Sequence, residues 1–591
     1  MTLTTQLNTL ESADLIRRAP PQPELEYLFR HALAQDAAYG SLLKQNRRAL
    51  HQAVGETLER LHAERLDELA PVLGHHFCEA DDHPRALKYF TRAGDLAAAK
   101  YANAEASLHY ARALDIAPRV APSALDSAFG GAPALFMHLF TKRGRMLEMS
   151  GQYERALANY REMETWARAH SDRSMELAAL IARATIRSTP TAVHDPQRGQ
   201  ALSEQALALA RELGERQAES KILWNLMLLK QFSGHMREAV QFGEQSLAIA
   251  RELNLREQLA YTLNDIMRSY AGVGQFDRAG ALLDEAGAIW RELGNIPMLT
   301  DNLGRSARIL FAIGEYERAI AAADEARELS QSIDNLWGLA FCRMFVGYVY
   351  LERGEVATAI HIMEECIRFG EQAGLVMAQV GTRADLGWIY GTLGAIEHGL
   401  ALSRHARTIA EQRLPIFRSW ALGSLARLHV MKGDVSAAET LIREGYVGLD
   451  LDDLSTHGAI AVPLADAEVA LAKQDYARAI TTMDDFLARL RRAGVRPFVA
   501  DALYLKGKAL LAQGRLDEAH QILIAARAAA EALNSRRILW PILIAESEVE
   551  AQWGHTVTAQ ALRQQAREVV VYIADHCPSD LRPSFLALPH V

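Results

Sequence analysis

The chain has 591 residues, 49% hydrophobic and 23% charged, with a net charge of -9, and that mild acidity excludes a general nucleic-acid binder, which needs a strongly basic balance. No run of about 18 apolar residues occurs, so no segment is expected to span a membrane, and the first residues lack the basic-then-apolar order of a signal peptide. The four cysteines (Cys78, Cys342, Cys366, Cys577) are scattered without a CxxC pair, which fits free, mostly buried thiols and a cytoplasmic location.

Alanine and leucine dominate the apolar set and prolines are few, so long helices are expected throughout. In residues 1–70 the segment LEYLFRHALAQDAAYGSLLKQNRRALHQAVGETLERL repeats its apolar positions at three and four, which reads as helix. Arg30, Arg47 and Arg48 are expected to face neighbouring helices or another module. The densest chemical cluster follows: His75, His76, Cys78, Asp81, Asp82 and His83. His75, Glu79 and His83 stand one helical turn apart, as metal ligands could. Adjacent histidines diverge, however, so the expected reading is a first solenoid helix with a solvated turn and no metal.

Residues 71–120 read as atypical first helical repeats, and APSALDSAFGGAP (121–133) as a linker. Residues 134–591 form the main array, with a break at STPTAVHDPQRG where Asp195 can cap the next helix and Pro196 can take its first position. A turn followed by a small residue recurs through the array. It reads GQYERA from Gly151, GHMREA from Gly234, GQFDRA from Gly274, GEYERA from Gly314, GEVATA from Gly354, GAIEHG from Gly394, GDVSAA from Gly433, QDYARA from Gln474, GRLDEA from Gly514 and GHTVTA from Gly554. From Gly234 onward the step is about 40 residues, the signature of stacked supersecondary units.

Seven residues before most turns stands a small residue (Gly144, Ala307, Gly347, Gly387, Ala426, Ala467, Gly507, Ser547), and five after them almost always an alanine. Such columns let two antiparallel helices approach closely where they cross. Tyr270, Tyr350 and Tyr390 lie four before the turn, and a turn glycine suits the left-handed cap of the first helix. Met227 and Met267 interrupt the small column, so looser packing is expected there. These columns resemble the tetratricopeptide (TPR) family. The fold they imply is an all-α, TPR-like solenoid, a right-handed superhelix of about twelve helical hairpins with about 40 residues each.

The strings FRHALAQDAAYGSLL, RRALH and GHHFCEADDHPRALKYFTRAGDLAAAKYANAEA, with the final LRPSFLALPHV, resemble the C-terminal, TPR-bearing portion of bacterial multidomain signalling ATPases, often fused to class III adenylate or guanylate cyclases. The resemblance implies that residues 1–70 are a helical remnant from the end of a winged-helix region and that the chain is a regulatory arm. Neither a G-x-x-x-x-G-K-[ST] loop nor a cyclase catalytic segment is present in the sequence, so no ATP or cyclase residue carries over. There is no G-x-S-x-G, H-E-x-x-H or G-x-G-x-x-G either. The carboxylate pairs Glu364–Glu365, Asp452–Asp453 and Asp484–Asp485 diverge on a helix. No catalytic residue and no cofactor is expected.

One column breaks the apolar rule. Six residues before the turns stand Arg145, Leu228, Arg268, Arg308, Tyr348, Trp388, Arg427, Glu468, Lys508 and Glu548, which in TPR geometry face the concave groove. With Arg305 and Asp385 three residues earlier, the set Arg268, Arg305, Arg308, Tyr348, Asp385, Trp388 and Arg427 suits a partner segment bearing acidic and apolar side chains. The expected function is a non-catalytic protein-interaction scaffold or sensor arm in bacterial signal transduction, with a protein partner such as a signalling ATPase or nucleotide cyclase. Two alternatives stand beside it: a regulatory subunit of a split ATPase–cyclase, and a small-molecule inducer sensor, which would need a closed, apolar-lined pocket with a polar anchor rather than an open polar groove.

Overall fold

The computed structural model describes residues 2–19, 26–100, 102–189, 191 and 193–588. The chain divides into two compact units, Met1–Leu213 and Gly214–Val591. Among the described residues the fold is all-α and TPR-like, apart from one short strand pair in the first unit.

The first unit runs α1 (Leu3–Ser12), β1 (Ile16–Arg18), β2 (Tyr27–Phe29), α2 (Ala32–Ser41), α3 (Lys44–Leu61), α4 (Leu66–Glu79), α5 (His83–Ala99) and α6 (Asn103–Ile116). It continues with α7 (Pro122–Phe129), α8 (Ala132–Met149), α9 (Tyr153–Ala169), α10 (Arg173–Ser188) and α11 (Pro196–Leu213). Two elements depart from the helix-and-linker reading. β1 and β2 pair antiparallel with Ile16 opposite Phe29, where short runs of branched and aromatic residues favour a pleat over a helix. Residues 121–133 are not a bare linker: Pro122 opens α7, Leu125 is buried, and Gly130 ends the helix in the left-handed region. The proline and glycine there mark the two ends of a helix rather than a break.

From α4 onward the unit has an aromatic core. Phe77, Tyr89, Phe90 and Tyr110 are nearly inaccessible to solvent. The small residues facing them are sterically required, since a Cβ on Gly94 would lie 2.6 Å from the Tyr110 ring, and one on Gly144 would lie 2.2 Å from Tyr160. Asp82 caps α5 by accepting from the Arg85 amide, 3.2 Å, and Asp195 caps α11 by accepting from Arg198, 3.0 Å, with Pro196 first in the helix.

The second unit is a run of helical hairpins, from Arg216–Phe232 with Met236–Glu252 to Arg536–Gln552 with Thr556–Asp575. Gly234, Gly274, Gly314, Gly354, Gly394, Gly433, Gly514 and Gly554 all have positive φ at the hairpin turns, and Gln474 takes the same conformation at φ 62°. Met227 and Met267 are fully buried. At Met227 the space comes from the opposite helix, where a Cβ on Gly243 would lie 2.8 Å from the methionine sulfur. The packing at Met227 is therefore not looser; large and small have exchanged sides there.

Successive windings of this superhelix touch. The turn at Gly274 meets Ala493, that at Gly314 meets Leu533, and that at Gly354 meets Ile573. Each pair is 219 residues apart, so one superhelical turn takes about five and a half repeats. Backbone bonds cross the same seam: the Arg496 amide donates to Ala312, 3.0 Å, and the Ala357 amide to His576, 2.8 Å. A simple solenoid has only neighbour contacts; here the winding is tight enough to enclose its axis.

Candidate functional site

The inner helices of the second unit carry the polar column, and the closed winding determines what each residue meets. Two of the seven groove candidates, Arg268 and Arg308, face a segment of the same chain, while Arg305 pairs with carboxylates of neighbouring inner helices. Residues 447–457 connect the Val435–Tyr446 and Gly458–Ala472 helices, and Asp453, Leu454 and Ser455 in that connection are buried. Arg308 donates to the Ser455 carbonyl and its guanidinium lies 5.3 Å from the Phe345 ring centre. Burial, with Arg268 beside it and only Asp453 opposing, pulls the Arg308 pKa down to about 10. Burial likewise lowers that of Arg268, which stacks 5.2 Å over Phe232. Burial works against the charge of Arg305 too, but Asp301 (2.7 Å) and Asp265 (3.4 Å) outweigh it.

In the middle of the column Tyr348 and Asp385 are buried. The Trp420 indole N–H donates to Asp385, 2.8 Å, and Trp420 stacks on His457 at 4.4 Å between ring centres. Burial raises the Asp385 carboxyl to about 7 against that hydrogen bond, and burial with the neighbouring Arg308 lowers His457 to about 3. Tyr348 lies beside Asp385, and burial plus that carboxylate raise its pKa far above the usual phenol value. Even so, the Tyr348 hydroxyl, the second Asp385 oxygen and the His457 Nε2 have no hydrogen bond of good geometry among the described residues.

The remaining two candidates, Trp388 and Arg427, wall a chamber of about 510 Å³. Its apolar side is built from Leu351, Met431, Leu505, Trp540 and Ile573, closed by Phe585 and Leu588 near the chain end. Its polar side consists of two ion pairs, half-buried except for the buried Asp501. Arg427 grips Glu468 through Nε (3.0 Å) and Nη2 (2.6 Å), and Arg537 grips Asp501 bidentately at 2.9 and 2.8 Å. The guanidinium carbons of Arg427 and Arg537 lie 4.4 and 5.5 Å from the Trp388 ring centre, and the Trp388 indole N–H has no acceptor among the described residues. Just outside the lining, Arg537 also binds Glu352 at 2.8 Å, across 185 residues. Burial pushes Glu352 up to about 7 although Arg537 is alongside, whereas Arg537 holds Asp501 low against its own burial. A second cavity of about 720 Å³, bearing Lys508 and Glu548, shares Tyr504, Trp540 and Pro541 with the chamber.

Asp501, Arg537, Trp420 and Glu352 escaped the column of single positions. The signal was one or more turns away on the same helix face: Trp420 and Asp501 stand thirteen before their turn glycines and Arg537 seventeen, in phase with the column at six. Phe585 and Leu588 carry no repeat signal.

At the histidine cluster, His51 and His76 approach to 2.9 Å through their Nδ1 atoms, with the His75 ring 5.7 Å from that of His51. Asp81 pairs with Arg48 while Asp82 caps α5, so both carboxylates are structural. Among the described residues no group of three or more His, Cys, Asp or Glu is arranged to hold a metal ion, and no helix is long and apolar enough to cross a membrane.

No protein-family model matches the sequence, and no curated protein sequence does. Among solved structures, the chain is similar to a Rap protein complexed with Competence and Sporulation Factor, at 12% identity and a TM-score of 0.44, over 61% of this chain and 99% of that one. It is also similar to yeast Tom70, at 14% identity and a TM-score of 0.30, over 77% of this chain and 94% of that one. At these TM-scores neither likeness bears on function.

Proposed function

We propose that the chain is a non-catalytic binding protein whose second unit takes a compact, largely apolar ligand with a polar end into the axial chamber. The observation that carries this reading is where the column residues stand. Trp388 and Arg427 wall a half-open space of about 510 Å³, a size and lining typical of small-ligand sites. An extended partner segment along the column is disfavoured, because residues 447–457 already occupy the face of Arg308. Mostly apolar walls would supply affinity, while the edges of the two ion pairs would orient the polar end. Occupancy would be felt across the seam, since Arg537 joins the chamber wall to Glu352 one winding away. The signalling context rests on the resemblance of the FRHAL region and the chain end alone.

Titration with 1-anilinonaphthalene-8-sulfonate, an apolar probe with one anionic group, tests this. One equivalent should bind the native protein with enhanced fluorescence. Met431→Trp, which fills the chamber from its wall, should abolish that binding while far-ultraviolet circular dichroism stays unchanged. Equal binding by a folded Met431→Trp variant would place the probe elsewhere and remove the support for a ligand chamber.

A further inference from the structure

The first unit carries an amphipathic helix whose apolar stripe has no partner among the described residues and whose surroundings specify what covers it. Leu43, the cap of α3, and Leu50, Val54 and Leu61 within it are spaced seven, four and seven residues apart. At 100° per residue they fall within about 20° of one line. They are 73%, 53%, 42% and 62% exposed, a continuous apolar stripe about 27 Å long at 1.5 Å per residue. A stripe of that kind normally faces a core. Here the core is served by the other face: Gly55 packs against Phe77, where a Cβ would lie 2.9 Å from the ring, and Glu56 and Glu59 bind Arg85 at 3.2 and 3.1 Å. The helix is therefore anchored without using its stripe.

The rim of the stripe is cationic. Lys44 and Arg60 form no ion pair with any described residue, and Arg47 lies over the Tyr39 ring, 5.1 Å from its centre, rather than on a carboxylate. Both acidic residues of α3 are turned away to Arg85. A second copy laid antiparallel on α3 would bring Lys44 and Arg47 against Arg60, like charge on like. Four large apolar residues in about 27 Å also make a narrower face than a helix lying in a lipid surface presents. We infer that the Leu43–Leu50–Val54–Leu61 stripe of α3 is a docking surface for an amphipathic helix of another protein, one whose apolar stripe is flanked by Asp and Glu. Side-by-side helix packing would bury the four side chains, and the acidic flanks would set orientation and encounter rate against Lys44, Arg47 and Arg60. This inference does not depend on the chamber.

Fluorescence anisotropy on the full chain tests it with two synthetic 18-residue helical peptides, each with leucines at i, i+4, i+7 and i+11. One has glutamate flanks, the other lysine flanks. The expected result is saturable binding of the glutamate peptide, at least tenfold weaker for the lysine peptide and at least tenfold weaker for a Leu50→Glu/Leu61→Glu variant. Both positions are exposed, so the variant should keep the wild-type circular dichroism and melting temperature, which shows that any loss is local. Equal binding of the two peptides, or equal binding to wild type and variant, overturns the proposal. So does a wild-type dimer in sedimentation equilibrium that the variant abolishes, which would make a second copy the occupant. Co-sedimentation with phosphatidylglycerol vesicles that the variant abolishes would replace the protein partner with a membrane surface.

Discussion

Replacing Arg537 with methionine removes the cation between two carboxylates while keeping most of the side-chain volume. The side chains of Arg537, Glu352 and Asp501 are only 14%, 4% and 7% exposed, so water can reach the two carboxylates only in part, from the chamber side. Removing one partner of a buried pair costs about 3–5 kcal/mol, and here two anions lose their partner. Two features of the structure limit the cost. Arg427 still acts on Asp501, and Glu352, already near 7, can take up a proton. The expected loss is therefore about 3 kcal/mol at pH 8, shrinking to about half that at pH 6 as Glu352 neutralises. Urea unfolding followed by circular dichroism at 222 nm should show this as a lowered midpoint whose deficit is larger at pH 8. Because repeat arrays can lose all-or-none behaviour, hydrogen exchange at the 352–357 and 535–537 backbone should report the same seam locally. Arg251→Ala is the control, since its pair with Glu285 is 43% and 42% exposed and should contribute less than about 1 kcal/mol. A loss in Arg537→Met no larger than the control's, and independent of pH, would refute the view that this triad holds the windings together.

Asp385→Asn tests a buried carboxyl that has no cation bonded to it among the described residues. Its folded pKa of about 7 lies above the unfolded value of 3.8, so the folded state holds the extra proton and wild-type stability falls as pH rises from about 4 to 7. The lost stability is of order 4 kcal/mol. The variant keeps an acceptor for Trp420 and should be the flatter of the two across that window in denaturant titrations. His457, with its folded pKa lowered to about 3, acts oppositely between about 3 and 6.5 but equally in both proteins. Gly394→Ala should cost more than Gly514→Ala. Both positions have positive φ (85° and 74°), but only a Gly394 side chain meets the seam, 3.0 Å from the Ser584 carbonyl oxygen. Both should lose about 1 kcal/mol from backbone strain, while only Gly394→Ala should speed proteolysis of the last fifteen residues. Arg308→Ala should release the buried connection, raising amide exchange at residues 454–457 by at least tenfold while leaving the helices after Gly514 at the wild-type rate.

The repeat was legible because it is local physics. A left-handed turn glycine, an alanine five later and a small residue seven earlier each answer to contacts within one hairpin, and the positive φ at Gly274, Gly314 and Gly354 follows directly. Met227 was misread because a helix crossing needs one small partner, and the sequence does not say on which side; Gly243 supplies it. Residues 121–133 were misread because proline and glycine mark both the ends of a helix and a bare linker. The polar column was found, since charge recurring on an otherwise apolar inner face stands out against the period. Its partners were not.

By itself, the sequence determined the unit of structure: hairpins of about 40 residues, their caps, the crossing positions and the polar stripe along the inner helices. These depend on contacts between residues close in the chain, where spacing alone fixes which faces meet. Only the tertiary structure decided that Trp388 and Arg427 of the stripe share a chamber with residues one winding away. That outcome depends on the small rotation between successive hairpins, summed over about five and a half repeats. Such a sum brings Gly314 to Leu533, Arg308 to Ser455 and Arg537 to Glu352, and no local spacing encodes it.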